Sequence, residues 1–181
     1  MKKFLLIFCA VLSAQMTIAQ EKTVEVGGAP MYPSKNIVEN AVNSKEHTTL
    51  VAAVKAAGLV ETLQSAGPFT VFAPTNAAFE KLPAGTVETL LKPENKATLT
   101  KILTYHVIAG KYDAAAIAAL IKEGKGTAVL KTVSGGTLKA SMKGKKLVLT
   151  DEKGASSVVT ISNVYQSNGV IHVIDSVVLP G

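Results

Sequence analysis

Three histidines, His47, His106 and His172, are the side chains best suited to proton transfer near neutral pH. No two of them are four residues apart and the only cysteine is Cys9, so their spacing does not predict a zinc site. His172 and Asp175 are three residues apart and point to opposite faces of an ideal strand, so a catalytic dyad would need a β-bulge and a nucleophile. The sequence has no candidate nucleophile, and we interpret both residues as hydrogen-bonding groups of the fold. We predict no catalytic residue, no metal and no cofactor.

Other catalytic patterns are incomplete. Lys122–Thr127 contains a Gly-Lys pair but lacks the preceding glycine that a phosphate-binding loop needs. No Gly-x-Ser-x-Gly elbow occurs, which weakens a hydrolase interpretation. A carboxylate pair for glycoside hydrolysis stays open, although acidic residues are sparse and fall mostly on predicted helices.

Every basic residue of the chain is a lysine, and the formal net charge is +6. Without arginine the chain lacks the planar fork that reads bases and phosphates, so specific nucleic-acid binding is not expected. The densest cluster lies on a predicted hairpin and comprises Lys139, Lys143, Lys145 and Lys146. It has two interpretations: a patch that binds an acidic polysaccharide, lipopolysaccharide or teichoic-type polymer, or charges that protect a strand edge and keep the domain soluble.

The first nineteen residues have the pattern of a secretory signal. Lys2 and Lys3 precede the short apolar stretch 4–14, and Thr17-Ile18-Ala19 offers a small-residue cleavage site. The stretch is shorter than the roughly 20 residues that span a bilayer, and no later segment approaches that length. We therefore predict an exported protein, periplasmic, secreted or attached to the cell surface. Residues 20–33, with two glycines and two prolines, predict a flexible tail.

Helical patterns dominate the first half of the remaining chain, and strands the second half. Ser34 is predicted to cap a first helix, Thr75 or Asn76 a later helix, and Asp113 a helix that runs to Ile121. Thr75 and Asn76 are also retained as possible site residues. Strands are predicted at 69–72, 105–108, 127–132, 137–141, 145–150, 157–161 and 170–179. Helices followed by mainly antiparallel strands indicate an α+β fold.

Three separated segments resemble the signature blocks of the fasciclin (FAS1) domain, in order and in spacing. They are Phe69–Phe79, Ile102–Gly110 and Asn168–Pro180. The resemblance spans roughly residues 34–180 and implies a single FAS1 domain over 34–181. It implies a compact wedge of two mostly antiparallel β-sheets with helices packed around it, and the role of an extracellular adhesion module.

The resemblance also bears on individual residues. In animal members a Tyr-His pair, here Tyr105-His106, is linked to cell adhesion, whereas the residues alone favour a half-buried pair that is hydrogen-bonded within the fold. Animal members carry an Asp-Ile integrin motif before the last block. Asn163 replaces that aspartate, so the carboxylate that a receptor's metal ion would bind is missing. Asn163 and Asn168 are interpreted as turn residues.

These interpretations lead to two hypotheses about function. The first is a non-catalytic bacterial binding module that adheres to cell-surface or matrix proteins or to polysaccharides, and a monomer is expected. The second is a binder of a small apolar molecule, or an enzyme of unrecognised type, that uses a cleft between helices and sheet. Phe72, Phe79, Ile102 and Val107 are the predicted lining of that cleft.

Overall fold

The computed structural model describes residues 22–181. The helices are α1 (Ile37–Ala41), α2 (Thr48–Ala57), α3 (Val60–Gln64), α4 (Asn76–Glu80), α5 (Thr86–Leu90), α6 (Lys96–Tyr105) and α7 (Ala114–Glu123). The strands are β1 (Val24–Val26), β2 (Ala29–Met31), β3 (Phe69–Pro74), β4 (Val107–Ala109), β5 (Thr127–Lys131), β6 (Thr137–Lys143), β7 (Lys146–Thr150), β8 (Ser156–Gln166) and β9 (Gly169–Ile174). The secretory signal predicted over residues 1–19 lies outside the described residues.

A seven-stranded sheet forms the centre of the molecule, in the order β4-β3-β9-β8-β7-β6-β5, and β1 and β2 form a separate two-stranded sheet. All neighbouring strands are antiparallel except β3 and β9, which run parallel from Phe69 opposite Gly169 to Pro74 opposite Ile174. The predicted α+β fold is confirmed. Its sheets are unequal, since the large one has seven strands and the small one has two.

Strand β8 joins the two ends of the large sheet. Its first residues pair with β7 and its remainder with β9, and the register to β9 shifts between Val159 and Val164. Asn163 lies within this irregular stretch with a φ of 61°, a left-handed conformation that asparagine tolerates better than most residues. The side-chain oxygen of Asn163 accepts a hydrogen bond from the Ala114 backbone N–H at 2.7 Å, which links the bulge to the start of α7.

The central strands supply side chains to a core on each face of the sheet, because successive residues of a strand point to opposite sides. Val71 and Ile171 pack beneath α1, α2, α3 and α6, whereas Phe72 and Ile174 pack with α7 and with strands β5 to β7. A smaller third cluster contains Phe79 of α4 and Ile102 of α6. The chain thus builds one apolar layer under its helical half and another under its strand-rich half.

Four expectations from the sequence are wrong. The last strand, predicted to run to residue 179, ends at Ile174. Residues 24–31 are a hairpin rather than an irregular tail, and Val26 and Met31 are buried in the first core, so the folded unit begins before residue 34. Asn36, not Ser34, caps α1, because its side chain accepts from the Glu39 N–H while Glu39 accepts from the Asn36 N–H. Tyr105 ends helix α6 and does not begin a strand.

Candidate functional site

Tyr105 is completely buried at the end of α6. Its hydroxyl donates to the Thr137 carbonyl oxygen at 2.6 Å and accepts from the Glu152 backbone N–H at 3.2 Å. A Cβ at Gly136 would lie 2.8 Å from the Tyr105 ring, so that backbone packs directly on the ring. Burial raises the pKa of Tyr105. The side chain therefore connects α6 to the turns that flank β6 and β8.

His106 is buried beside it, and both ring nitrogens have partners. Nδ1 lies 2.8 Å from the Ile102 carbonyl oxygen, and the Val178 backbone N–H donates to Nε2 at 3.2 Å. Since a carbonyl only accepts and an N–H only donates, Nδ1 carries the proton of a neutral imidazole. Burial lowers the pKa of His106 to about 4. In the folded domain the Tyr-His pair presents no polar atom to a partner.

His172 and Asp175 are not brought together. His172 is fully buried, its Nε2 donates to the Tyr112 carbonyl at 2.9 Å, and its Nδ1 has no partner among the described residues. Burial lowers the pKa of His172. Asp175 accepts from the Val158 N–H at 2.8 Å and lies 3.7 Å from the Lys81 ammonium. These contacts belong to strand pairing and to the surface, so the two residues do not form an acid–base pair.

Thr75 and Asn76 occupy the turn between β3 and α4. Thr75 Oγ1 accepts from the Ala78 N–H at 3.2 Å, which confirms the predicted cap. The Asn76 side chain accepts from the Thr49 N–H at 3.0 Å and donates to the Lys45 carbonyl at 3.0 Å. Asn76 thereby holds the start of α2 against α4.

Asn168 has a larger structural role than a turn residue. It is buried, its Oδ1 accepts from the Ile37 N–H at 3.0 Å, and its Nδ2 donates to the carbonyls of Leu63 and Ser65 at 2.7 and 2.9 Å. The Asn-Gly dipeptide signals the β8–β9 turn, but no local pattern reveals contacts to α1 and α3 that lie more than 100 residues away in sequence.

A cavity of about 90 Å³ lies between the sheet and helices α1, α2, α3 and α6. Its walls are almost wholly apolar. Val107 lines it as predicted, and Phe72 also borders it, although Phe72 packs in the core on the other face of the sheet. Phe79 and Ile102 belong instead to the third cluster.

His47 is one of the few polar residues of the cavity lining. Its Nδ1 lies 2.8 Å from Ser44 Oγ, and its buried Nε2 makes no hydrogen bond of normal geometry among the described residues. Burial lowers the pKa of His47, and the nearby Ala73 backbone opposes this shift.

The four lysines predicted to lie on a hairpin do so, on the hairpin formed by β6 and β7. Lys143 and Lys146 are directly opposite each other in the β6–β7 register, and Lys145 lies at the tip of the two-residue turn. The β5–β6 register adds Lys131, which the sequence did not group with them. We name the exposed set that shares the outer face of these strands the lysine face: Lys131, Lys139, Lys143 and Lys146.

Two further findings concern the described residues 22–181. They contain no group of three or more histidine, cysteine or acidic side chains that could hold a metal ion. None of their helices combines the length and the apolar character needed to cross a membrane.

Residues 45–180 match the family model of the fasciclin domain. The chain belongs to the fasciclin family. It is 49% identical over 160 residues to protein sll1483 of Synechocystis sp., which covers 88% of this chain and 82% of that protein. It is 39% identical over 145 residues to the immunogenic protein MPB70 of Mycobacterium bovis, which covers 77% of this chain and 66% of that protein.

A solved structure has the same fold: a FAS1 domain pair from the insect cell adhesion molecule fasciclin I. It superposes with a TM-score of 0.72 over 82% of this chain and 52% of that one, at 18% identity. The three fasciclin blocks identified in the sequence contribute β4, β3 and β9, which are neighbours in the sheet. The blocks therefore form the scaffold of the fasciclin domain, and its inward-facing polar groups are part of that scaffold.

Proposed function

We propose that this fasciclin domain is an exported, non-catalytic binding module that attaches to a cell surface, a matrix protein or a surface polysaccharide. The observation that carries the proposal is the match of residues 45–180 to the fasciclin domain family. The polar atoms of Tyr105 and His106 are all bonded within the fold. A partner of the folded domain therefore meets its outer surface and not this pair. Similarity to a domain pair from a cell adhesion molecule supports attachment, and the signal pattern of residues 1–19 supports export.

The experiment measures retention of the purified protein on intact bacterial cells, on their isolated envelopes and on a panel of immobilised glycans. Each surface is tested at low and at high salt, because attraction between exposed charges is screened within about 10 Å at 0.1 M salt. We expect retention above that of an unrelated protein of equal size and charge. Retention equal to that control on every surface would contradict the proposal.

A second candidate function rests on the cavity beneath the helices. Native interiors contain few voids larger than a water molecule, and an apolar void with almost no polar lining stays dry. His47 is one of the lining residues, and its buried Nε2 makes no hydrogen bond of normal geometry among the described residues. A compact apolar molecule with one hydroxyl group fits both properties, because a hydroxyl can donate to or accept from the imidazole.

Ala73 of β3 lines the cavity and offers a way to fill it. Thermal unfolding is measured with phenol and with short-chain alcohols. We expect these to raise the melting temperature of the wild type and to have no such effect on Ala73→Val. Equal shifts in both proteins would place binding elsewhere and remove this candidate.

A further inference from the structure

The net charge of this domain is confined to one part of the chain. Residues 20–121 contain nine lysines and nine acidic residues and are neutral overall. Residues 122–153 contain eight lysines and three acidic residues, a net charge of +5, and residues 154–181 contain one acidic residue. The excess positive charge therefore lies on α7's end and on strands β5 to β7.

Strand geometry gathers half of these lysines on one surface. Along β6, Leu138 and Ala140 point to the core, so Lys139 and Lys143 point outward, about 14 Å apart at 3.4 Å per residue. Lys146 lies directly opposite Lys143, with Cβ atoms about 5 Å apart in such pairs. Lys131 extends the row onto β5. The lysine face is therefore a row of four ammonium groups that runs along β6 and across β5 and β7.

No salt bridge neutralises the lysine face. Among the described residues none of its four lysines forms an ion pair, and the salt bridge between Lys81 and Asp175 lies elsewhere on the surface. The two acidic residues closest in sequence are held mainly by backbone groups. Asp151 accepts from the Ala155 and Leu179 N–H groups, and Glu152 accepts from those of Thr137 and Gly181. Glu152 also accepts from the Thr137 hydroxyl, which places its carboxylate near the Lys131 end of the face but not in a salt bridge with it.

Protection of a strand edge explains only part of this arrangement. The pairing of β6 with β5 ends at Ser141 and that of β7 with β8 begins at Val148, so Lys143 and Lys146 lie where the hairpin extends beyond its neighbours. Lys139 is different, because it is paired on both sides, with Val129 of β5 and Thr150 of β7, where no edge is exposed. Like charges directly opposite each other destabilise a sheet, so the Lys143–Lys146 pair also costs stability.

We propose that the lysine face docks a linear acidic polysaccharide, with the glycan lying along β6. This inference rests on the proposed attachment function and names its partner. Lysine ammonium groups act as point charges that suit separate carboxylate or sulfate groups. Val129, 65% exposed, lies opposite Lys139 and offers an apolar contact for a sugar ring. No aromatic side chain lies on the lysine face, so it lacks the groups that stack nucleic-acid bases or anchor a protein at a membrane interface.

The test compares two variants of equal charge. One replaces the lysine face by glutamine: Lys131→Gln, Lys139→Gln, Lys143→Gln and Lys146→Gln. The control carries four substitutions on exposed lysines of the helical half: Lys45→Gln, Lys55→Gln, Lys92→Gln and Lys96→Gln. Circular dichroism and melting temperature establish that both are folded. Affinities are measured for polygalacturonate, dextran sulfate and neutral dextran, and for anionic vesicles and duplex DNA.

We expect the wild type to bind the two acidic glycans and not neutral dextran. The face variant should lose about tenfold or more in affinity and the control less than about threefold. Both variants lose the same net charge and thus the same long-range attraction, but only the face variant loses the lysines that contact the glycan. If the face variant loses affinity for polygalacturonate alone, the group bound is a carboxylate; if it loses affinity for dextran sulfate alone, the group bound is a sulfate.

Equal losses in both variants would overturn the proposal in favour of net charge alone, and tighter binding to vesicles or DNA would overturn it in favour of that partner. Cell attachment that survives in the face variant would overturn this inference and leave the proposed function intact. Absence of attachment in the wild type would instead contradict the proposed function.

Discussion

The buried polar residues of the fasciclin blocks and the lysines on the outer face of β5 to β7 differ in where their polar groups find partners. Tyr105, His106 and Asn168 have every polar side-chain atom bonded to the backbone. The lysine face has no partner among the described residues. The residues most conspicuous in the sequence therefore hold this fold together, while the surface that is free to bind is marked only by the charge of its lysines.

Removal of a buried polar partner should have the largest effect on stability. Asn168→Ala leaves the Ile37 N–H and the carbonyls of Leu63 and Ser65 without their partner. We expect a loss of about 3–5 kcal/mol in the free energy of unfolding, since each unsatisfied buried group costs about 1–3 kcal/mol. Urea unfolding measures it. Asn43→Ala, which removes one exposed hydrogen bond, is the matched control and should cost less than about 1 kcal/mol.

The second largest effect on stability should come from acid, which protonates buried histidines and so lowers the free energy of unfolding. The pKa of His106 is lowered from 6.5 to about 4 in the folded state, so the unfolded chain binds more protons between these values. Stability is therefore complete above pH 6.5 and falls as the pH drops towards 4, by roughly 3 kcal/mol from this residue. Burial also lowers the pKa values of His47 and His172, which adds to the same trend.

Urea unfolding at a series of pH values tests the His106 contribution. His106→Phe removes the titrating group, so the variant should be less stable at pH 7 and should lose less stability between pH 6.5 and 4 than the wild type. An unchanged pH dependence in the variant would show that His106 is not held neutral by the fold.

The smallest expected effect is that of a single lysine substitution, which should change stability and binding in opposite directions. Lys146→Gln relieves the repulsion with Lys143, so the free energy of unfolding should rise by about 0.2–1 kcal/mol. The same change should weaken binding to polygalacturonate. Lys96→Gln, on an exposed helical site, should alter neither quantity measurably. A Lys146→Gln variant that binds as well as the wild type would remove Lys146 from the docking surface.

The sequence predicted the parts of this fold that depend on local patterns. Thr75 and Asp113 cap helices as expected, because an N-cap needs only a short polar side chain before an apolar repeat. The hairpin at residues 24–31 does not show in the sequence, because its glycines and proline are also typical of a loop and because Val26 and Met31 stabilise it by burial against distant residues. Burial of distant partners is not encoded in any local window.

In the candidate sites, too, local sequence predicts some features and long-range packing determines the others. The cluster Lys139–Lys146 was visible as a run of charge, but the addition of Lys131 and the direct pairing of Lys143 with Lys146 depend on strand register. The contacts of Asn168 and the buried Nε2 of His47 depend on helices that return to the sheet from far away in sequence. Contacts between residues so far apart in sequence could not be predicted from local patterns and are seen only in the structure.

The decisive measurement maps where an acidic glycan binds on the protein. Amide resonances of the ¹⁵N-labelled protein are followed while an oligogalacturonate is added. We expect chemical-shift changes concentrated in residues 127–131 and 137–150, with Tyr105 and His106 unperturbed. Shifts centred on helices α1 to α6, or spread over every exposed lysine, would contradict the proposal.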